Sequence, residues 1–287
     1  MTRGWLRKTL RTLAATMAFG LVAPVAQAQK VEPTFTIGVL PNISARLILA
    51  SYQPMRDYFE RELRRSVDIA TAADFRQFTE RTLRGDYQLI VTAPNLGRVV
   101  QLEASWDPLA MYEPRIPALL VALADNPDSS PVQLRGKALA LANPQSLVAL
   151  AGMQWLRGQG LQEGSDYRIT LAANDDSLGA VLRSGEAPLA IMSGGEFRAK
   201  PESVRKLLRV VSEITQLPGF LVMANPRLPE SEKQRLKALI LTFPQTEEGR
   251  RFFGLSGFSN IRPVLESELK GLDPYVEQTR KGLGLVR

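Results

Sequence analysis

Ile37-Gly38-Val39-Leu40 runs directly into Pro41-Asn42-Ile43-Ser44, an apolar strand-like stretch that ends in a small polar cluster before a helical pattern begins. The same junction recurs along the chain. Leu89–Val91 leads to Thr92-Ala93-Pro94-Asn95, and Ala138–Ala142 to Asn143-Pro144-Gln145-Ser146. Ile169–Leu171 leads to Asn174-Asp175-Asp176, and Leu189–Met192 to Ser193-Gly194-Gly195. In open α/β sheets, ligands bind where parallel strands end and helices start, because free backbone N–H groups point into the crevice there. Such loops line a small-molecule cleft and are not a catalytic centre by themselves.

Around these junctions strand and helix patterns alternate. Leu47, Tyr52, Met55, Phe59 and Leu63 recur at helical spacing, with Pro54 expected to interrupt the helix or start a new turn. Val67–Thr71 and Tyr87–Val91 read as strands, with Phe75/Phe78 and Leu96/Val99/Val100 marking the helices that follow them, which makes a βαβαβα half with a parallel sheet. Leu109–Tyr112 and Ala118–Ala124 are two strands with no helix between them. A second alternating series runs from Gly136-Lys137 to about Ile214, then a strand at Phe220–Ala224, and the remainder reads as mainly helical. Two α/β units with strand-only junctions predict two lobes: residues 31–118 with 222–287, and residues 119–221. Phe75, Phe78, Phe252 and Phe253 read as core.

Neither Cys nor His occurs in the 287 residues. Disulfides, thiolate metal sites, Cys nucleophiles and the usual general base are therefore all excluded. No paired-carboxylate motif stands out, so the expectation is no enzyme, no metal and no cofactor. The chain starts with a basic stretch (Arg3, Arg7, Lys8, Arg11), a short apolar run from Leu13 to Val25 and the small-x-small triplet Ala26-Gln27-Ala28. Residues 1–28 are thus expected to be a cleaved secretory signal peptide, the run being too short to span a bilayer. Of 36 basic and 29 acidic residues the leader holds four basic ones, which leaves an excess of three. The high pI is largely a targeting signal and not a nucleic-acid footprint.

Several segments in order resemble the phosphate/phosphite/phosphonate-type periplasmic substrate-binding proteins of ABC transporters. They are Gly38-Val39-Leu40-Pro41 with Tyr52-Gln53-Pro54-Met55, Leu83-Arg84-Gly85-Asp86-Tyr87 leading to Thr92-Ala93-Pro94-Asn95, and Leu134-Arg135-Gly136-Lys137 with Asn143-Pro144-Gln145-Ser146-Leu147. Asn174-Asp175-Asp176-Ser177 with Val181-Leu182-Arg183-Ser184-Gly185-Glu186 is similar to the family's last binding loop. The resemblance covers about residues 35 to 225. It implies the two-lobed type II periplasmic binding protein fold, α/β with mixed sheets flanked by helices and a central ligand cleft. This chain departs from the pattern at three places. Gln145-Ser146-Leu147-Val148 offers fewer hydroxyls than the family's Ser/Thr-rich turn, Asn174 stands where a His is often found, and Met192-Ser193 stands where an Asp is expected.

The candidate ligand contacts follow from the junctions. Asn42, Ser44 and Arg46 lie on the first loop, and Arg46 suits bidentate pairing with a carboxylate or phosphonate. Thr92 and Asn95 flank Pro94, which suits the first turn of a helix. Ser146 and the amides from Leu147 onward suit an oxyanion at a helix N-terminus, and plain N-capping is the competing role for that serine. Asn174, Asp175 and Ser193 complete the set; the acidic pair Asp175-Asp176 would oppose a dianion. Arg115 is a further cation near the junction of the units.

The expectation is a monomeric periplasmic protein that closes on a small, phosphonate-like oxyanion and delivers it to an ABC permease in the inner membrane. The alternative keeps the fold and has the closed form meet a membrane sensor kinase. Neither reading involves nucleic acid.

Overall fold

Phe35, Ile37 and Val39 alternate along β1 (Phe35–Val39) and pack one face of the strand on Ile48, Tyr52, Met55 and Phe59 of α1 (Ala45–Leu63). The computed structural model describes residues 33–126, 129–172 and 177–285. The opposite face of β1 carries Gly38, and the reason is steric. A Cβ there would lie 2.7 Å from ring carbons of Tyr87, which itself stacks on Phe78 with centroids 5.6 Å apart.

Two sheets result. In the first, β1 is flanked in parallel by β2 (Val67–Ala70) and β3 (Leu89–Thr92), with α2 (Phe75–Arg84) and α3 (Pro94–Ala104) following those two strands. The sheet continues antiparallel through β10 (Leu221–Ala224), β4 (Asp107–Glu113) and β11 (Asn260–Arg262), giving the order β2-β1-β3-β10-β4-β11. In the second, β6 (Ala138–Leu141) lies parallel between β7 (Arg168–Leu171) and β8 (Leu189–Ser193). There β5 (Ile116–Leu123) pairs antiparallel with both β8 and β9 (Leu208–Leu217), giving the order β7-β6-β8-β5-β9. The chain passes between the sheets twice, from β4 to β5 and from β9 to β10.

Helices cover both sheets. The second carries α4 (Leu147–Gly158), α5 (Leu178–Arg183), α6 (Gly194–Ala199) and α7 (Glu202–Arg205). After β10 come α8 (Glu230–Thr242), α9 (Glu247–Ser256), α10 (Glu266–Lys270) and α11 (Asp273–Leu283), and α9 packs on α1 while α11 packs on α3. One apolar cluster belongs to both sheets: Leu40, Ile90 and Leu96 meet Ala118, Leu147, Ala151 and Leu217, with Leu269, Leu272 and Leu283 from the last two helices. Burial of this kind stabilises by roughly 25 cal/mol per Å² of apolar surface. Among the described residues no helix is long and apolar enough to cross a membrane.

Phe75, Phe78 and Phe252 are buried, as their pattern predicts. Pro54 does not interrupt α1, which runs unbroken for 19 residues. The carbonyl that loses its intrahelical partner is that of Ala50, an exposed position where water can take its place, and the proline ring itself is buried. The C-terminal part is not all helical. β11 is three residues with only Ile261 buried, too short to show an alternation. Likewise β9 reaches Leu217, beyond the end expected for the second series.

Candidate ligand-binding site

Two of the polar junctions, one from each sheet, meet at the carboxyl ends of their strands β3 and β6. The deciding contact is direct. Asn95 Nδ2, in the first turn of α3, donates to the backbone oxygen of Gln145 at 3.1 Å, so the β3–α3 loop touches the β6–α4 loop of the other sheet. As β1 neighbours β3 and β8 neighbours β6, the loops at 40–46 and at 193–195 leave strands adjacent to the two whose loops meet.

The candidate side chains then divide by what already holds them. Asn42, Ser44 and Arg46 are exposed; Ser44 is the N-cap of α1 but its side chain makes no capping bond, which leaves the hydroxyl available. Arg46 has no ion-pair partner among the described residues. Thr92 is buried, and its Oγ1 has no hydrogen-bond partner among the described residues. Asn95 is fully buried and its amide nitrogen is spent twice, on Gln145 and on Thr279 Oγ1 at 3.1 Å. Ser146 caps α4, its Oγ accepting from the Ala149 amide at 3.1 Å, while Leu147 is buried in the shared cluster. The next free amides of that helix belong to its first turn. Asn174 and Asp175 lie outside the described residues.

Ser193 is committed more firmly. Its Oγ accepts from the Glu196 amide at 3.0 Å, and the Glu196 carboxylate accepts from the Ser193 amide at 2.9 Å, a reciprocal capping box opening α6. Burial pushes the Glu196 carboxyl up, against the opposing pull of its bonds from Ser193 and the field of Lys200. The Ser-x-x-Glu spacing that signals this cap is present in the sequence.

A second group of charges sits at the crossings between the sheets. Arg115 donates to the Gln216 oxygen at 3.2 and 2.6 Å, joining the two crossing segments. Glu268 of α10 receives Arg262 at 2.8 and 2.6 Å and lies 3.8 Å from Arg115, and Arg262 also reaches Glu113 at 3.0 Å. A cavity of about 340 Å³ opens here, bordered by Arg115, Leu147, Gln216, Pro218, Glu268 and Tyr275. Of the candidate contacts it includes Leu147 and the further cation Arg115.

The Arg262 hydrogen bonds hold the Glu268 carboxyl below its usual value of 4.5, against a smaller desolvation effect. Its stabilisation is therefore present above 4.5 and lost as pH falls through the lowered value. Glu268→Gln is expected to lose less stability than the parent on going from about pH 6 to about pH 3.5, read from urea unfolding at both. An equal acid loss in the two proteins would mean that the Arg262 pair adds nothing in solution.

Known proteins bear on this arrangement. A family model described as the periplasmic substrate-binding protein of the phosphonate ABC transporter matches residues 37–269. The chain belongs to this family. No protein of curated function matches it in sequence. Among solved structures the chain is similar to XAC2383 from Xanthomonas citri bound to chloride ion, at 20% identity over 86% of this chain and 99% of the other, TM-score 0.75. A binding component of an ABC phosphonate transporter from Pseudomonas aeruginosa is 13% identical, over 88% and 89% of the two chains, TM-score 0.74. PhnD1 from Prochlorococcus marinus in complex with methylphosphonate is 12% identical, over 88% and 99%, TM-score 0.74. At these identities the likeness shows the fold, the mixed two-sheet α/β architecture of periplasmic binding proteins. The family is one of solute carriers for ABC transporters and not of enzymes.

Sequence reading misses Gln145 as a contact between the two sheets' loops, although it lies within the Asn143–Ser146 motif. It also misses Thr279 and Gly282 of α11. No local pattern ties them to the site, since Thr279 is 184 residues from Asn95.

Proposed function

We propose that this protein captures a small phosphonate-like oxyanion between two lobes in the periplasm and hands it to an inner-membrane ABC permease. The lobes are residues 31–118 with 222–287, and residues 119–221, with β5 entering the second from Ile116 and β10 entering the first from Leu221, and residues 1–28 are the secretory leader that takes a monomeric chain there. The observation that carries the reading is the meeting of strand-end loops from two separate sheets at Asn95 and Gln145. From the first lobe, the Asn42, Ser44 and Thr92 side chains donate hydrogen bonds, and Arg46 supplies the cation. From the second come the first-turn amides of α4 beside Ser146 and Leu147, where the helix dipole favours negative charge. Asn174 and Asp175 remain proposed contacts, and Ser193 contributes through its position and less through its hydroxyl, which caps α6. Family membership supports the ligand class, as does the methylphosphonate bound to the Prochlorococcus relative.

The test is a thermal melt against methylphosphonate, phosphate, phosphite, alkylsulfonates and amino acids. At a ligand concentration of about 100 times Kd, binding adds about 2.7 kcal/mol. For a chain of this size that is a rise of roughly 5–10 °C. An oxyanion should produce it and neutral or cationic solutes should not. A flat panel would remove the ligand assignment.

A further inference from the structure

Gln145 is tied to the opposite lobe at both of its polar ends. Its backbone oxygen accepts from Asn95 Nδ2, and its side-chain amide donates to the oxygen of Gly282 on α11. Helix α11 in turn is fastened to the first lobe: Asp273 pairs with Arg98 at 2.7 Å, Arg280 pairs with Glu103, and Thr279 accepts from Asn95. Its packing on the second lobe is looser, with a gap of about 210 Å³ between Gln278 and residues such as Met153, Arg157 and Tyr167.

We propose that Gln145, Asn95 and α11 form a latch that sets the opening of the cleft, so that Asn95 serves closure and does not touch the ligand. The proposal rests on the two-lobed reading above. Three features argue for it. Asn95 is wholly buried with both amide hydrogens given to Gln145 and Thr279, and only its Oδ1 is unpartnered among the described residues, an acceptor that cannot bond a deprotonated oxyanion. Any rotation that parts the lobes breaks both Gln145 bonds together, because each ends on a residue that moves with the first lobe. Gln145 also precedes the first residue of α4 by only two positions, so the latch fixes where the α4 amides stand relative to the α3 loop. The latch is weak enough to work reversibly: one hydrogen bond of ordinary net strength changes an opening equilibrium on the order of five-fold. Opening then lowers apparent affinity in proportion to the closed fraction.

The chain has no cysteine, so spin labels can be placed cleanly at Ala238→Cys on α8 and Glu202→Cys on α7, one in each lobe, both at exposed positions. The inter-label distance distribution is measured without ligand in the parent, in Gln145→Ala, in Gln145→Glu and in Lys281→Ala, an exposed α11 change whose side chain pairs with Glu277 and makes neither of the Gln145 bonds. Gln145 is half-buried, so its truncation leaves no core cavity, and melting temperatures serve as the fold control. Gln145→Ala should enlarge the long-distance population about five-fold, and Gln145→Glu at least as much, since a carboxylate would face the Gly282 carbonyl. Lys281→Ala should match the parent. Unchanged distributions in both Gln145 variants would overturn the latch. Methylphosphonate is then added to the parent as the probe. If it fails to shorten the distances, the ligand class is in error, while the ligand-free comparison still decides the latch.

Discussion

Phe252→Ala should lower the unfolding free energy by about 3–5 kcal/mol. The ring is wholly buried and meets four others, with centroids 5.1 Å from Tyr52, 5.8 Å from Tyr112, 5.6 Å from Phe243 and 5.3 Å from Phe253. It therefore joins α9 to α1, to β4 and to the turn after α8. A cavity among large aromatic side chains collapses poorly, which places the loss toward the upper end of the range. Urea unfolding followed by tryptophan fluorescence measures it. A loss below about 1 kcal/mol would mean that α9 is not docked as described.

Gly219→Ala acts at a different point, the crossing from β9 to β10. A Cβ on Gly219 would stand 2.0 Å from the backbone oxygen of Tyr112 and 2.8 Å from its carbonyl carbon. The Tyr112 amide donates to the Phe220 oxygen at 2.8 Å, so the crossing strand cannot slide aside without breaking that bond. Overpacking of this kind costs roughly 1–3 kcal/mol when side chains can give way. Here the obstacle is backbone, and a loss of about 3 kcal/mol or more is expected. The same variant should alter the inter-lobe distance distribution, because the displaced segment is one of the two connections between the sheets. A variant with parental stability would show that the crossing is looser than the contact implies.

The legible and illegible parts of the chain separate on physical grounds. β3, β6 and β8 are buried on both faces and read as continuous apolar runs, and the residues that follow them include helix starters, Pro94 and Ser146 among them. Strand order was another matter. β10 lies between β3 and β4, and nothing in Leu221–Ala224 announces a partner more than 100 residues earlier. Pro54 misleads because a proline penalty depends on whether the lost bond faces water. At the site, residue types were readable and their commitments were not. Asn95 has the chemistry of a ligand contact, but its donors are taken by groups 50 and 184 residues away. Ser193 carried its own signal three residues downstream, at Glu196.

The placement of β10 in the middle of the first sheet also bears on the order in which the molecule can assemble. Every strand of the second sheet lies between residues 116 and 217, so that unit can be completed from one continuous stretch. The first sheet cannot: β3 keeps an unpaired edge until Leu221–Ala224 becomes available, about 130 residues later, and such an edge invites mispairing. For a chain threaded amino end first, the earlier-made half must wait on the later one. The waiting half is the place where a holding chaperone would have most to protect.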